Sequence, residues 1–159
     1  MLTLRKMTID DLPLFKKWLF VPHVSRWYHD PEDWISEVEN ADGAFDWVEH
    51  FIVETDGRPF GFCQYYAFCN SGEDWLEDSE TEGTYSIDYL IGDPDALRRG
   101  YGKQIVAALT EKISAHKDAR RIAVQPEKEN AASRALLQSC GFSLVDAQRG
   151  VFLKELSHA

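Results

Sequence analysis

Long apolar runs and a disulfide framework are both missing from this sequence of 159 residues. No apolar stretch approaches membrane-spanning length. Residues 1–11 lack the apolar region of a signal peptide, so we expect a cytoplasmic protein that does not bind membranes. The histidines have no metal-ligand spacing, and we predict no metal site. The three cysteines are an odd number without Cys-x-x-Cys spacing, which argues against a disulfide scaffold and a zinc site and suits a reducing compartment; they are Cys63, Cys69 and Cys140.

Basic residues are nearly absent from the middle of the chain, although the whole chain has a net charge of −10. Residues 27–97 contain one arginine and nineteen acidic residues, whereas residues 98–159 contain eleven basic and six acidic residues. The middle therefore lacks the basic face that nucleic acid requires. The asymmetry indicates two ligands of opposite charge, a cation for the middle and an anion for the C-terminal part. The alternative is an acidic surface that only maintains solubility.

Helical and strand patterns alternate along the chain without repeats or linkers, so we predict a single domain over residues 1–159. Their order is β-α-α-β-β-β-α-β-α-β-β, which predicts an α/β protein of the α+β type. We expect a mixed, mostly antiparallel sheet of about seven strands flanked by about four helices. Asp56-Gly57 predicts a hairpin turn between two strands. Residues 100–116 and 130–140 have helical patterns, and Gly141 is positioned to end the second helix.

Two arginines and two glycines precede an apolar helical pattern in LRRGYGKQ, at residues 97–104. A helix start offers unbonded N–H groups, glycine lets a ligand approach the backbone, and arginine binds phosphate oxygens. The stretch is not a Walker A loop or a dinucleotide fingerprint, because Gln104 and Ile105 stand at required positions. A simple tight turn with solvated arginines is the alternative. The phosphate site that we predict consists of Arg98, Arg99, Gly100, Tyr101, Gly102 and Lys103.

Asp88 lies in the middle of the predicted strand TYSIDYLI, at residues 84–91. The period of two places it on one face with Thr84 and Ser86. An unpaired buried carboxylate is costly, which makes Asp88 an unusual choice for a core position. It can hold a substrate ammonium and accept its proton as a general base. The alternative is a structural aspartate satisfied by a local hydrogen bond or a salt bridge.

A dense run of acidic residues between positions 73 and 82 contains Trp75. Such a run is usually a solvated loop. An aromatic ring among carboxylates, however, gives a cationic ligand a surface to pack on. Trp27 and Tyr28 are candidates for an opposite wall, and ordinary core packing explains them equally well.

Several of these motifs, in this order, resemble one protein family. LRRGYG and the later segment from Asn130 to Gly141-Phe142 resemble the GNAT superfamily of acetyl-CoA-dependent N-acetyltransferases. Within it, FGFCQYYAF, SGEDWLEDSETEG and SIDYLI resemble the aminoglycoside 6′-N-acetyltransferases, as do LTLRKMTIDDLPLFKKWL and RWYHD nearer the start. The resemblance covers nearly the whole chain, and the order of the motifs is more specific than any one of them.

The resemblance implies a GNAT fold and an acyltransferase that moves acetyl from acetyl-CoA to a primary amine. The acceptor would be a cationic small molecule, either an aminoglycoside-like aminosugar or a polyamine. Asp88 would be the base, and Asn130 would contact the pantetheine arm. The strand segment of Tyr89, Leu90 and Ile91 would supply main-chain N–H groups to the thioester. Acceptor contacts are expected from Trp27, Tyr28, Gln64, Trp75, Glu77, Asp78 and Asp88.

Two residues depart from the family pattern. Leu97 stands where the family often has Gln or Arg, and Leu137 where it often has a tyrosine that protonates the leaving thiolate. Leucine has no proton to give, so either water supplies it or activity is lost. Three alternatives follow: an acyltransferase for peptide N-termini, one for a siderophore precursor, and an acetyl-CoA-binding module without turnover. Resistance and metabolic roles both stay open, as do a monomer and a homodimer.

Overall fold

The strands and helices follow the predicted order, with one addition. The computed structural model describes residues 1–77 and 81–157. Within these, the strands are β1 (Leu2–Lys6), β2 (Val48–Thr55), β3 (Arg58–Ala67), β4 (Thr84–Ile91), β5 (Arg121–Val124), β6 (Ser143–Asp146) and β7 (Val151–Glu155). The helices are α1 (Leu12–Leu19), α2 (Pro22–Ser25), α3 (Pro31–Glu39), α4 (Tyr101–Ser114) and α5 (Ala131–Ser139). Helix α2 was not predicted, because its four residues are too few for an apolar period.

The seven strands found in the described residues form one sheet in the order β1-β2-β3-β4-β5-β7-β6. Strands β4 and β5 pair in parallel, with Thr84 opposite Arg121 and Tyr85 opposite Ile122. The pairs β1–β2, β5–β7 and β6–β7 are antiparallel. This arrangement confirms the predicted mixed, mostly antiparallel sheet.

The chain groups into two compact units, and its single-domain organisation over residues 1–159 stays a prediction. Unit 1 comprises Met1–Gln64 and Asp88–Ile105, and unit 2 comprises Tyr65–Ile87 and Val106–Ala159. In unit 1, helix α1 buries one face at the spacing expected of an amphipathic helix. Each such side chain contributes about 1.5–3 kcal/mol when fully buried. That face consists of Leu12, Phe15, Trp18 and Leu19.

A close contact fixes the end of β4 in unit 1. Gly92 follows β4 directly, and a Cβ added there would lie 2.0 Å from Cγ of Trp18. Only glycine therefore allows α1 to approach the chain at this point. The contact holds the end of the strand that carries Asp88.

Unit 2 has its own apolar cluster, formed by Phe68, Leu76, Ala123 and Val151 with Trp75 and Leu153 packed against it. Across the described part of the chain, every helix is too short or too polar to cross a lipid bilayer.

Candidate active site

Asp88 is half-buried on β4 and is bonded to a side chain of the neighbouring strand. The Nε2 of Gln64 on β3 donates a hydrogen bond of 2.9 Å to Oδ2 of Asp88. The strands lie close together nearby, since a Cβ added to Gly61 would be 2.5 Å from the carbonyl oxygen of Leu90. Two residues that the sequence assigned to substrate, Gln64 and Asp88, are thus in direct contact.

The Gln64 side chain is only 3% exposed. Its Oε1 is buried and has no hydrogen-bond partner among residues 1–77 and 81–157. Leaving such an acceptor unsatisfied costs about 1–3 kcal/mol. Reversing the amide would not relieve this cost, because it would place an oxygen of Gln64 against the carboxylate oxygen of Asp88.

Two side chains near α2 reach main-chain oxygens at the end of β4. The Tyr28 hydroxyl donates to the carbonyl of Tyr89, and Nε2 of His23 lies 2.8 Å from the carbonyl oxygen of Ile91. Main-chain carbonyls of successive residues in a strand point to alternate sides of the strand. The carbonyls of Tyr89 and Ile91 therefore point away from β3, whereas that of Leu90 points towards it. Tyr28 is thereby placed beside Asp88, whereas the contact of His23 was not predicted from the sequence.

Burial raises the pKa of the Tyr28 phenol well above its ordinary value, and the charge of Asp88 raises it further. Tyr28 therefore keeps its proton throughout the neutral range. Its ring packs on Trp34 with centroids 4.8 Å apart. The neighbouring Trp27 is half-buried and has the guanidinium carbon of Arg26 at 5.8 Å from its ring centre, which places a cation over that ring.

The predicted phosphate loop has a backbone that few residues adopt. Arg98 and Gly100 have φ angles of 62° and 79°, in the left-handed region, and α4 begins at Tyr101. A Cβ added to Gly100 would meet no heavy atom of the described residues within 4 Å, so the backbone is open on that side. Arg99 is tethered to the loop, because its Nε donates to the carbonyl of Asp95 over 2.7 Å. Positive charge thus stands beside an open helix start.

A pocket of about 530 Å³ opens beside this loop in unit 1. Its lining includes Phe60 and Tyr101, whose ring centroids are 4.6 Å apart. Arg58 and Arg99 bring positive charge to the lining, while three aspartates bring negative charge; the aspartates are Asp56, Asp93 and Asp95. Arg58 lies 3.8 Å from the carboxylate of Asp93. The pocket therefore includes Arg99 and Tyr101 of the predicted phosphate site.

The acidic segment of unit 2 has a basic partner that the sequence did not indicate. The half-buried Trp75 packs edge-on against Phe68, with ring centroids 4.8 Å apart, and its indole N–H reaches the carboxylate of Glu73. Arg149, from the β6–β7 turn, donates to the carbonyl of Trp75 over 3.4 Å and lies 4.0 Å from Oε1 of Glu77. The turn sequence Arg149-Gly150 gave no sign of this long-range contact. Asp78 lies outside the described residues.

Asn130 and Leu137 both have structural roles on α5. Oδ1 of Asn130 accepts the main-chain N–H of Ser133 over 3.1 Å, so Asn130 caps the helix. Leu137 is completely buried. The contact of Asn130 with a cofactor stays a prediction. In the described residues, no group of three histidine, cysteine, aspartate or glutamate side chains is arranged to bind a metal ion.

Comparison with known proteins places these elements in a family. The family described as Acetyltransferase (GNAT) domain matches residues 8–149. The chain belongs to the GNAT acetyltransferases. This GNAT protein is therefore an acyltransferase, and its seven-stranded sheet is the GNAT fold that the sequence resemblance implied.

Individual relatives lie among the enzymes that the sequence resemblance named. The Aminoglycoside N(6')-acetyltransferase type 1 of Klebsiella pneumoniae is 28% identical over 146 residues, which are 88% of this chain and 73% of that protein. The crystal structure of aminoglycoside acetyltransferase AAC(6')-Ib with coenzyme A has a TM-score of 0.81 and 25% identity, over 98% of this chain and 95% of that chain. The structure of AAC(6')-Ib with paromomycin and acetyl-CoA has a TM-score of 0.81 and 26% identity, over 97% and 93%.

Proposed function

We propose that this GNAT acetyltransferase transfers the acetyl group of acetyl-CoA to a primary amine of an aminoglycoside or a similarly cationic aminosugar. The observation that carries the proposal is the similarity, over nearly the whole chain, to an aminoglycoside N(6')-acetyltransferase. Solved structures of similar fold contain coenzyme A or acetyl-CoA, three of them together with an aminoglycoside. The excess of acidic residues in the middle of this chain suits a cationic acceptor.

Asp88 is the proposed base. A protonated amine has no lone pair for attack, so a proton must leave it before or during the reaction. A carboxylate that is half-buried and bonded on one oxygen by Gln64 is placed to attract an ammonium and accept that proton, directly or through water. The neutral nitrogen then attacks the thioester carbon and forms the carbon–nitrogen bond. As the carbon–sulfur bond breaks, the thiolate leaves and the nitrogen loses its second proton to water; Asp88 afterwards returns the first proton to solvent.

The end of β4 is the proposed donor to the thioester oxygen. Acetyl-CoA supplies an activated acyl group, whose carbonyl oxygen gains negative charge during attack. Main-chain N–H groups aimed at such an oxygen stabilise it. Of the predicted segment, Leu90 has its carbonyl against β3, so we assign the role to Tyr89 and Ile91, on the other edge of the strand.

The loop from Arg98 to Lys103 is the proposed seat of the pyrophosphate. Its open backbone at Gly100, two arginines and the start of α4 form a donor set that fits a phosphate group. Asn130 is the proposed contact of the pantetheine arm through the part of its side chain that does not cap α5. Trp27, Tyr28, Trp75 and Glu77 are proposed acceptor contacts, each argued from aromatic surface or charge.

The leaving thiolate needs no acid from position 137. Leu137 is completely buried and serves the packing of α5. A thiolate is a stable leaving group, since thiols have a pKa of about 8.5. We therefore assign its protonation to water.

Release of free thiol from acetyl-CoA, measured against a panel of amines, tests this function. The sharpest pair is an aminoglycoside with an amine at the 6′ position and the matched compound with a hydroxyl there. We expect turnover with the first at least a hundredfold faster than with the second. Equal turnover would contradict acetylation at the 6′ amine and point to another amine of the same molecule, whereas a peptide N-terminus as the best acceptor would contradict the proposal as a whole. Binding of acetyl-CoA without release in any mixture would identify a binding module instead.

A further inference from the structure

We propose that Gln64 is a positioning residue for the Asp88 carboxylate, and that this buried amide serves catalysis more than the stability of the fold. The inference rests on the proposed function, in which Asp88 is the base. It gives Gln64 a role through Asp88, distinct from the direct acceptor contact that the sequence resemblance implied.

The first argument is the direction of the hydrogen bond. Gln64 donates from Nε2 to Oδ2 of Asp88 over 2.9 Å. A donor to a carboxylate stabilises its ionised form and restricts its rotation. A base must be ionised before it accepts a proton, and its geometry must be held to a fraction of an ångström. The Gln64 amide satisfies both requirements.

The second argument is what the arrangement costs. Gln64 is 3% exposed, and its Oε1 has no partner in the described parts of the chain. A nonpolar side chain of similar shape would relieve the cost of the unsatisfied Oε1, and this gain offsets much of the loss of one hydrogen bond to the half-buried Asp88 carboxylate. Folding alone therefore gives little reason for glutamine at this position. The contact with Asp88 supplies the missing reason.

The third argument is burial. Oε1 of Gln64 has almost no accessible surface, so a ligand does not reach it in this conformation. The Tyr28 phenol, which stands beside Asp88, stays protonated and does not compete for the proton. Gln64 therefore affects the acceptor amine through Asp88.

Two variants with opposite chemistry at position 64 test the inference. Gln64→Met keeps the length and removes the donor. Gln64→Glu replaces the donor by an acceptor, so that two carboxyl groups about 2.9 Å apart must share a proton. For each, we would measure thiol release from acetyl-CoA as a function of pH, the affinity for acetyl-CoA, and the midpoint of denaturant unfolding. His50→Leu is the matched control, because it also removes, from a neighbouring strand, a buried polar side chain with an atom that has no hydrogen-bond partner in the described residues.

We expect Gln64→Met to lower kcat at pH 7 at least tenfold, with little change in the unfolding midpoint or in the affinity for acetyl-CoA. Gln64→Glu should move the acid limb of the pH profile of kcat/KM to higher pH by one unit or more, which is a larger shift than we expect for Gln64→Met. The control should leave that profile in place. If both Gln64 variants fold and keep the wild-type kcat and the wild-type pH profile of kcat/KM, the inference about Gln64 is wrong. The proposed function would still stand in that case if Asp88→Asn is inactive in the same assay. A fully active Asp88→Asn would instead refute Asp88 as the base.

Discussion

Two carboxylates that the sequence assigned to substrate binding, Asp88 and Glu77, occupy very different surroundings. Asp88 is half-buried on a central strand and is held by an amide donor from the next strand. The Glu77 side chain is 73% exposed and lies 4.0 Å from the guanidinium of Arg149. The same type of side chain is thus fixed in one place and solvated and partly neutralised in the other.

The difference indicates how much each charge contributes. Exposed ion pairs are worth about 0–1 kcal/mol, because water and salt screen them. A carboxylate withdrawn from water and held by a donor interacts more strongly with a cation and presents it with a defined geometry. A dense acidic segment is therefore expected to give a diffuse attraction for a cation, whereas one half-buried carboxylate is expected to hold a cation in a defined position.

The largest effect should come from Asp88→Asn, which keeps the shape of the side chain and removes its charge. If Asp88 is the base, kcat should fall by about 10²–10⁴-fold, which corresponds to about 3–5 kcal/mol in the barrier. Acetyl-CoA affinity should barely change, since that site does not include the carboxylate. Steady-state kinetics with thiol detection measures the change in kcat, and calorimetry measures the affinity for acetyl-CoA. Wild-type turnover at every pH would place Asp88 in a structural role.

A buried titratable group without a catalytic partner should affect stability instead, and His50 provides the case. It is 5% exposed, and burial lowers its pKa to about 4 from the ordinary value of 6.5. Between these pH values the unfolded chain binds a proton that the folded chain does not, so stability falls as the pH falls from 6.5 to 4. The loss should approach about 3 kcal/mol, at about 1.4 kcal/mol per pH unit.

Denaturant unfolding of the wild type and of His50→Leu at several pH values measures that loss. The variant should lack this part of the pH dependence, while the contributions of all other groups stay common to both proteins. Parallel stability curves for the two proteins between pH 4 and 6.5 would show that His50 does not behave as its burial indicates.

A smaller effect is expected at the predicted phosphate loop, and it separates binding of acetyl-CoA from binding of the acceptor. Gly102→Val should hinder the approach of a ligand to the backbone and weaken acetyl-CoA binding at least tenfold, about 1.4 kcal/mol. Ala107→Val, at an exposed position of the same helix, is the control for the lower helix propensity of valine. Calorimetry that finds the same affinity in the folded Gly102 variant and its control would remove the loop assignment.

The smallest effect should come from Glu77→Gln. We expect KM for a cationic acceptor to rise threefold or less, because the side chain is exposed. At high salt the KM values of the variant and the wild type should become equal, because salt screens an exposed charge. Acetyl-CoA affinity should not change. Glu111→Gln, an exposed change on α4, controls for the loss of one negative charge. A tenfold rise in KM would contradict the expected difference between Glu77 and Asp88, since it would show that the exposed carboxylate is a principal contact of the acceptor.

The order of the elements was predictable because each has a local signal. The Asp56-Gly57 turn between β2 and β3 follows from residue types that adopt left-handed backbone, and both residues do. Gly100 of the predicted phosphate loop likewise has a left-handed backbone, which glycine adopts readily. Helix α2 left no signal, because one turn shows no period.

Much of the candidate site depends on contacts between residues far apart in sequence, which periodicity does not report. The Gln64–Asp88 bond joins two strands, and alternation placed Asp88 on its face without naming its partner. Arg149 reaches Trp75 across 74 positions, and His23 reaches Ile91 across 68. Pairings of this kind are decided by sheet order and loop conformation, so they became visible only in the structure.

The pH dependence of Asp88→Asn relative to wild type, with one primary-amine acceptor, tests the central claim most directly. A base is needed only while the acceptor nitrogen carries its proton, and alkyl amines have a pKa near 10. The deficit of the variant in kcat/KM should therefore shrink as the pH rises from 6 towards 9, by about tenfold per unit at most. A deficit that stays constant over this range would contradict the assignment of Asp88 as the base and leave it a residue that only attracts or positions the acceptor.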